Sequence, residues 1–600
     1  KKFQRDEQNY EKNVKKYLQA EAQLPYMQYL FKATKEEFAE DKLFDAHETI
    51  KIKQYSFEQI VSELEKYNLS ATSDDVKGIA FEKFLGTTFR GELGQFFTPR
   101  TIVDFMVEIL DPQEGETICD PTCGSGGFLI KSFEYVREKI EKDVESYKKK
   151  FKAEFFNEDY EKLSENEQIA VNEKYSSILR KLNSDINVPN KSYSKQTDAE
   201  KSRRISRLSS SCIYGTDANP RMARTSKMNM IMHGDGHGGV HHHDGLLNVN
   251  GIFEERFDVI LTNPPFGQNV DRNQLISEAD RFIDEEMKKK YKAKYGKAYD
   301  EALKQVDDHI GKSLLSLYDL GSTSTLTEVL FMERCLRLLK KGGRMGMVLP
   351  EGVLNNKNLA TVREYFEGRA KLILICSIPQ DVFIAAGATV KPSLVFMRKF
   401  TADEEAEYDK CKKEAAIEIT ALHQTEIDSL TGTIATCDAQ TDSLKDDLKD
   451  ARSRLKQAKK YKKDTSAIEA AIDSIQQQQK NNKNAKKAAE KALVDLKKLI
   501  DDESKPVIKK KFDYDIPIAK VEDAGITTTG AASEGNQLPE LVEEYKDYRI
   551  NNMLWALKEF ATEYRLNSDS LYCRIVNGKE VVLIHRFSQP SFFPLSNSGM

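Results

Sequence analysis

Apolar positions recur along this chain with more than one period. Up to about residue 90 the spacing is helical: in SFEQIVSELEKYNL, Phe57, Ile60, Val61, Leu64 and Tyr67 fall on one face, and Ser56 is the expected N-cap. DDVKGIAFEKFLGTTF repeats the pattern with Val76, Ile79, Ala80, Phe84 and Leu85, so 1–90 reads as a helical N-terminal domain. From about 91 to 400, short β-rich runs alternate with helical ones, which predicts a parallel sheet wrapped by helices. The expected strands are ETICD (116–120), SCIYGTD (211–217), FDVILT (257–262), RMGMVLP (344–350), KLILICSI (371–378) and PSLVFMRKF (392–400). The last two are joined by a short connection and are expected to pair antiparallel. Two polar stretches, 141–209 and 268–322, interrupt this order and read as insertions.

Beyond 402 the period becomes that of a heptad. Ile427, Leu430, Ile434, Cys437, Thr441, Leu444, Leu448, Ala451, Leu455 and Ala458 keep strict three-four spacing with one polar interruption, at Thr441. KKYKKDTS (459–466) offers a turn, after which Ile468, Ile472, Ile475, Ala489, Leu493, Leu496 and Ile500 resume a weaker stripe. The expectation for 402–505 is an antiparallel helical hairpin or coiled coil serving as a stalk or docking arm. In the last segment, 511–600, VVLIHRFS (581–588) reads as a strand and 538–561 as an amphipathic helix.

Composition narrows the class. Charged residues make up 31% of the 600 positions, but 91 Lys and Arg against 96 Asp and Glu leave a net charge of only −5, so any basic surface is local. Eight scattered cysteines without a CxxC pair argue for reduced thiols, not disulfides or structural zinc. No run approaches the ~18 apolar residues of a membrane span, and the first residues carry no signal-peptide pattern, so a cytoplasmic protein without a membrane partner is expected. The chain starts at Lys1, not at a methionine, which leaves room for an upstream domain.

Candidate chemistry sits at strand ends. CDPTCGSGGFLI (119–130) is a strand, a glycine turn and a helix, where Gly124, Gly126 and Gly127 allow close approach of a ligand and Asp120 with Pro121 places a carboxylate at the strand tip. The Lys-Ser/Thr ending of a P-loop is absent, which argues against ATP. Asp217, in YGTDANP, can receive both hydroxyls of a ribose or can cap the helix that follows. In LTNPPFGQ (261–268) two prolines stop a strand and hold the Asn263 amide and the Pro264 carbonyl at its carboxyl end.

The order GQFFTPR, DPTCGSGGF, GTDANP, NPPFG, TEVLFMERCLRLLKKGGRMGMVLPEGVLNN and IPQDVFIAAGATVKPSLVFMRK resembles the N6-adenine DNA methyltransferases of the gamma arrangement, and among them the modification subunits of type I restriction-modification systems. The resemblance is strong over 75–400, and NQLPELVEEYKDYR (536–549) is similar to the tail of such subunits. It implies an α/β fold with a Rossmann-like S-adenosylmethionine-dependent methyltransferase sheet over 91–400. It also implies Thr98 and Pro99 at the methionine end of the cofactor, Asp120, Pro121, Gly124, Gly126 and Gly127 around its amino acid and sulfonium, Asp217 on the ribose and Asp244 on the adenine amine. Asn263, Pro264, Pro265 and Phe266 would form the catalytic turn, with Phe266 and Phe383 stacking on an adenine flipped out of double-stranded DNA. A specificity subunit, a restriction subunit and a hetero-oligomeric assembly are the implied partners, with 511–600 docking them.

Rival readings remain at this point. His233, His237, His241, His242 and His243 with Asp235 and Asp244 could ligate a metal, although their glycine-rich surroundings favour a loop without one. Lys201, Arg203, Arg204 and Arg207 could bind phosphate or form a solvated face. An Asn-Pro-Pro enzyme acting on RNA or protein, a restriction-modification fusion, and a DNA-binding scaffold without activity are the alternative functions.

Overall fold

A computed structural model describes residues 2–18, 24–39, 43–44, 47–67, 98–187, 196–234, 239–282, 284–384, 390–555, 562–566, 573–576 and 579–581. The expected helix at 74–89, His237 and most of VVLIHRFS lie outside these residues. The chain forms two compact units, one made of 1–399 with 516–600, the other of 400–515.

The first unit is built on an eight-stranded sheet. In chain order its strands are β1 (Ile118–Asp120), β2 (Ile213–Asp217), β3 (Val240–His242), β4 (Phe257–Thr262), β5 (Leu339–Pro350), β6 (Ala370–Ser377), β7 (Pro392–Lys399) and β8 (Ile518–Lys520). They lie in the order β3-β2-β1-β4-β5-β7-β6-β8. All neighbouring pairs are parallel except those of β7, which runs antiparallel to β5 and β6. The order reverses between β1 and β4, and open α/β sheets bind ligands beyond the carboxyl ends of the strands at such a point. Both faces are covered, so the strands read as continuous apolar runs: Val259, Ile260 and Leu261 are fully buried.

The boundaries differ from the pattern in instructive places. The helix Gly127–Phe155 runs through 141 without a break, and Val144, Phe151, Val171, Ile178, Leu182 and Ile205 share one core with Ile118, Leu129 and Val259. The polar stretch at 141–209 therefore contributes its apolar minority to the main core. Arg204, a phosphate candidate in the sequence, is fully buried: its guanidinium donates to Glu114 (Nε to Oε1, 3.0 Å) and to Asp143. Arg207 turns to Glu114 and Thr562. Arg204 is thus enclosed by carboxylates, and the half-exposed Arg207 shares one of them, Glu114. Near the amino end, the helix Gln54–Leu64 starts two residues before Ser56, with Lys53 in extended conformation at its cap.

Residues from 516 on return to the first unit. β8 extends the sheet beside β6, and the helix Leu538–Asn551 docks by Tyr545, whose hydroxyl donates to the Ile373 carbonyl at 3.1 Å, and by Arg549, paired with Asp111 at 2.7 Å.

In the second unit the helices Ala402–Leu422 and Gln424–Lys460 lead to a turn, and Ser466–Lys511 returns. Contacts run in opposite senses along the two arms: Lys459 meets Glu469, Thr441 meets Asn482 and His423 meets Glu503. The arms are therefore antiparallel. Every position of the stripe from Ile427 to Ala458 is shielded at least in part. Its polar member has a partner: Asn482, 7% exposed, donates to the Thr441 hydroxyl (2.8 Å) and to the Cys437 carbonyl (2.6 Å). A buried amide with two specific acceptors fixes one register, as single polar residues do in helical seams.

Candidate active site

β1 and β4 end side by side, and their tips are tied by one carboxylate. Asp120 Oδ1 accepts from the Thr122 amide at 3.0 Å and from the Thr262 hydroxyl at 2.6 Å. The Thr122 hydroxyl lies 2.6 Å from that of Thr262 and 3.3 Å from the Asn263 carbonyl oxygen. Burial pushes the Asp120 carboxyl up to about 7, against the lowering by those hydrogen bonds. The group is poised to ionise when a cation arrives beside it.

The turn after β1 needs glycine at two places. Gly124 and Gly126 have φ of +52° and +90°, the left-handed region where a side chain is strained. At Gly126 a Cβ would also lie 2.5 Å from the Ser226 Oγ. Beside Gly124 and Gly127, by contrast, a Cβ would meet nothing closer than 3.9 Å, so the backbone fronts open space. The Pro121 carbonyl accepts the Thr216 hydroxyl at 2.8 Å, which locks the turn to β2.

Asp217 ends β2. Its Oδ2 accepts from the Gly124 amide at 3.0 Å and its Oδ1 from the Asn219 amide at 2.8 Å. The helix Pro220–Met232 is capped by Asn219, so the capping reading of Asp217 gives way. Each Asp217 oxygen keeps acceptor capacity, and burial raises its pKa. The third acid, Asp244, follows β3; burial raises it too, and its Oδ1 takes the Leu246 amide at 2.9 Å. A Cβ on Gly245 would sit 2.1 Å from the Pro121 oxygen, which shows how closely this loop passes the first turn.

Asn263 leaves β4 with its amide already oriented. Its Nδ2 donates to the Thr98 hydroxyl at 3.0 Å, while its Oδ1 is buried without a hydrogen-bond partner among the described residues. Pro264 is buried, Pro265 and Phe266 are half-buried, and Phe266 packs at the edge of the main core. Pro99 caps the helix Arg100–Leu110, which anchors Thr98. Thr98 thus touches the Asn263 side of the site. Phe383 departs from the stacking expectation: it is fully buried in the main core with Val382 and Ile378, so no face of its ring is open to a base.

Several contributors lie inside the quoted motifs without having been singled out by them. Thr122 and Thr262 act through contacts 140 residues apart in the chain. Arg334 holds the Asp244 loop by donating to the carbonyls of Gly245 (3.0 Å) and Leu247 (2.8 Å) and to Asn248 Oδ1 (2.8 Å). Its signal was available: MER is a charged break in an otherwise apolar helix. Glu328 Oε1 takes the Gly267 amide at 3.4 Å, and its Oε2 is buried without a partner among the described residues. The histidines disperse: His233 pairs with Glu134 at 2.6 Å, buried His241 meets Asn250 at 3.0 Å, and His242 meets the Ala218 carbonyl. The expected histidine loop is in part strand β3, whose three residues are too few to show alternation. Among the described residues no group of three or more His, Cys, Asp or Glu is arranged to hold a metal.

An open, mostly parallel sheet with a reversed β7, a glycine turn after β1 and acids after β1, β2 and β3 has the architecture of the S-adenosylmethionine-dependent methyltransferases. The family model for N-6 DNA Methylase matches residues 72–176, 190–309 and 318–495. The chain belongs to that family. It is 23% identical over 345 residues to the type I restriction enzyme EcoEI methylase subunit of Escherichia coli, covering 57% of this chain and 50% of that protein. It is 28% identical over 203 residues to the MjaIX methylase subunit of Methanocaldococcus jannaschii, covering 32% and 23%. A crystal structure of a modification subunit of a putative type I restriction enzyme from Vibrio vulnificus aligns with TM-score 0.35 and 21% identity over 58% of this chain and 54% of that one. The chain spans about half the length of the first of these relatives.

Proposed function

We propose that this protein transfers a methyl group from S-adenosylmethionine to the exocyclic N6 of an adenine flipped out of double-stranded DNA, as the modification subunit of a type I-like restriction-modification system. The relatives' names, type I restriction enzyme methylase subunits, support the system; a specificity subunit choosing the site and a restriction subunit as further partner complete the proposal. Among the described residues no helix is long and apolar enough to cross a membrane.

The residues fit the cofactor. The buried Asp120 and Asp217 and the half-buried Asp244 lie at the strand ends around an open glycine turn, matching a cationic amine near Asp120, ribose hydroxyls at Asp217 and an adenine amine at Asp244. When bound, S-adenosylmethionine supplies an electrophilic methyl group.

The observation that carries the reading is the Asn263 Oδ1, a buried acceptor with nothing to accept. Such an atom costs about 1–3 kcal/mol when left unsatisfied, which an incoming amino group would relieve. With Oδ1 and the Pro264 carbonyl each accepting one N6 hydrogen, the nitrogen lone pair localises and the charge that develops on attack is stabilised by fixed dipoles. The prolines and the Thr98 hydrogen bond keep both acceptors aimed without reorganisation. Phe266 offers a ring for the base to stack on. No covalent nucleophile is needed.

The test is direct. The protein, with and without its neighbouring specificity subunit, is incubated with duplex DNA and methyl-labelled cofactor, and the DNA is digested to nucleosides. Label in N6-methyladenine is expected; label found only with RNA or protein acceptors overturns the substrate.

A further inference from the structure

The two arms of the second unit carry their charge unevenly. From 402 to 447 the outgoing arm has thirteen Asp and Glu against four Lys, yet from 449 to 464 it has eight Lys and Arg against two Asp. The reversal is abrupt in a chain whose net charge is −5. Lys449, Arg452, Lys456, Lys459 and Lys460 recur every three or four residues, each one or two places after a seam position, so they form one exposed stripe beside the seam. At the helical rise it spans about 16 Å and runs into the turn, where Tyr461 is 69% exposed between lysines.

These cations lack the counter-charges found elsewhere on the arms. Lys445 pairs with Asp442 at 2.8 Å, Lys505 with Asp502 at 2.8 Å and Lys511 with Glu414 at 3.5 Å. On the stripe only Lys459 has an acid, Glu469 at 3.0 Å; Lys449, Arg452, Lys456 and Lys460 have none among the described residues. Like charges three and four apart oppose the helix. The negative carboxyl end of the helix accounts for Lys459 and Lys460, which lie in its last turn, but not for Lys449 or Arg452, about three and two turns earlier.

We propose that this distal stripe is a sequence-independent binding surface for the phosphate backbone of duplex DNA, separate from the methyl-transfer site. A straight row of unpaired cations suits a uniformly charged rod, where neutralising phosphates releases counterions and needs no base contact. Tyr461 adds a hydroxyl that can donate to a phosphate. The inference rests on duplex DNA being this protein's substrate, and it makes the hairpin a second grip on that DNA.

The 600-residue chain is titrated onto a 60-base-pair duplex of arbitrary sequence, without cofactor, over a range of salt. The variant carries Lys449→Gln, Arg452→Gln, Lys456→Gln and Lys460→Gln, all at exposed helical positions where glutamine is tolerated. Each lost phosphate contact lowers the slope of log affinity against log salt by about 0.9, so a drop of about 3–4 is expected, with affinity at moderate salt falling at least tenfold. Neutralising Lys445, Lys505 and Lys511 instead should leave the slope within about 1 of the parent. An unchanged slope in the stripe variant, or a loss seen on single-stranded RNA or polyglutamate but not on duplex DNA, overturns the proposal. The Asn263→Ala variant keeps the stripe and should keep the slope, so failure of the methylation reading and failure of this one give different results.

Discussion

Replacing Asn263 by alanine separates a structural turn residue from a catalytic acceptor, because the two roles predict opposite patterns of loss. In the protein without substrate, the substitution removes a buried Oδ1 that has no partner, which recovers about 1–3 kcal/mol of desolvation cost. It also removes the Nδ2 hydrogen bond to Thr98, worth about 1 kcal/mol, and leaves a small void. These nearly cancel, so stability should change by no more than about 1 kcal/mol, a shift in Tm of about 2 °C in a unit of this size. Transfer should respond quite differently: loss of one preorganised acceptor costs about 2.7–4 kcal/mol of barrier, or 10²–10³ in rate. Single-turnover incorporation of labelled methyl, scanning calorimetry and cofactor titration on the same preparation give the three readings. On the proposed assignment of Asn263 to the acceptor base, cofactor affinity should be unchanged. Thr98→Val, which frees the amide to rotate, should cost about tenfold in rate. A Tm lowered by more than about 5 °C with transfer within threefold of the parent would refute the reasoning and return Asn263 to the role of a turn.

Three further outcomes follow from buried charge and register. Asp120, raised by burial to about 7, contributes stability that is fully present below its ordinary 3.8 and is lost as pH rises toward 7; Asp120→Asn should abolish that decline, of order 4 kcal/mol, in urea titrations at pH 4.5 and 7.5, and should also weaken cofactor binding. Asp111 is opposite in sign: although burial raises it, Lys139 and Arg549 bring it down to about 2, so its contribution is present above 3.8 and lost as pH falls through 2. Arg549→Ala should cost about 3 kcal/mol at neutral pH and release the 516–555 segment to limited proteolysis before the sheet unfolds; simultaneous loss of all fragments would contradict it. Asn482→Leu should keep or raise the helicity and Tm of the second unit while losing its single register, seen as a disulfide between Cys placed at 438 and 486 forming less completely than in the parent.

The elements legible in the sequence were those whose evidence is local. β4, buried on both faces, showed as an apolar run interrupted only by Asp258 near its start, and the heptad stripe showed through its own period. β3 and β8 did not, because three residues cannot display an alternation and both are specified by the edge they pair with. The same division runs through the site. Asn263, the prolines, Gly124, Gly126, Asp120 and Asp217 are read from turn chemistry at strand ends, whereas Asp244 enters only through the family resemblance. What the motifs could not say is which side chains are already spent. Arg204 looked free and is enclosed by Glu114 and Asp143; Phe383 looked available and is fully buried. Asp217 looked divided between ribose and helix cap until Asn219 took the cap.

Availability is therefore the property that packing adds, and it is decided by residues far away in the chain. The free Asn263 oxygen exists because Thr98, 165 positions earlier, occupies the other end of the amide, and because Thr122 engages the backbone carbonyl of Asn263. At Asp120 two threonines fix the geometry of the carboxyl, and burial raises its pKa to about 7, which leaves it suited to the cation proposed beside it. In both cases the reactive group carries an unfavourable state, a lone acceptor or a buried acid, that an ordinary core would have removed by pairing. Such unpaired groups persist when the surrounding hydrogen bonds over-determine their positions. Their coincidence at the β1 and β4 tips is stronger ground for the site than the motifs taken one at a time.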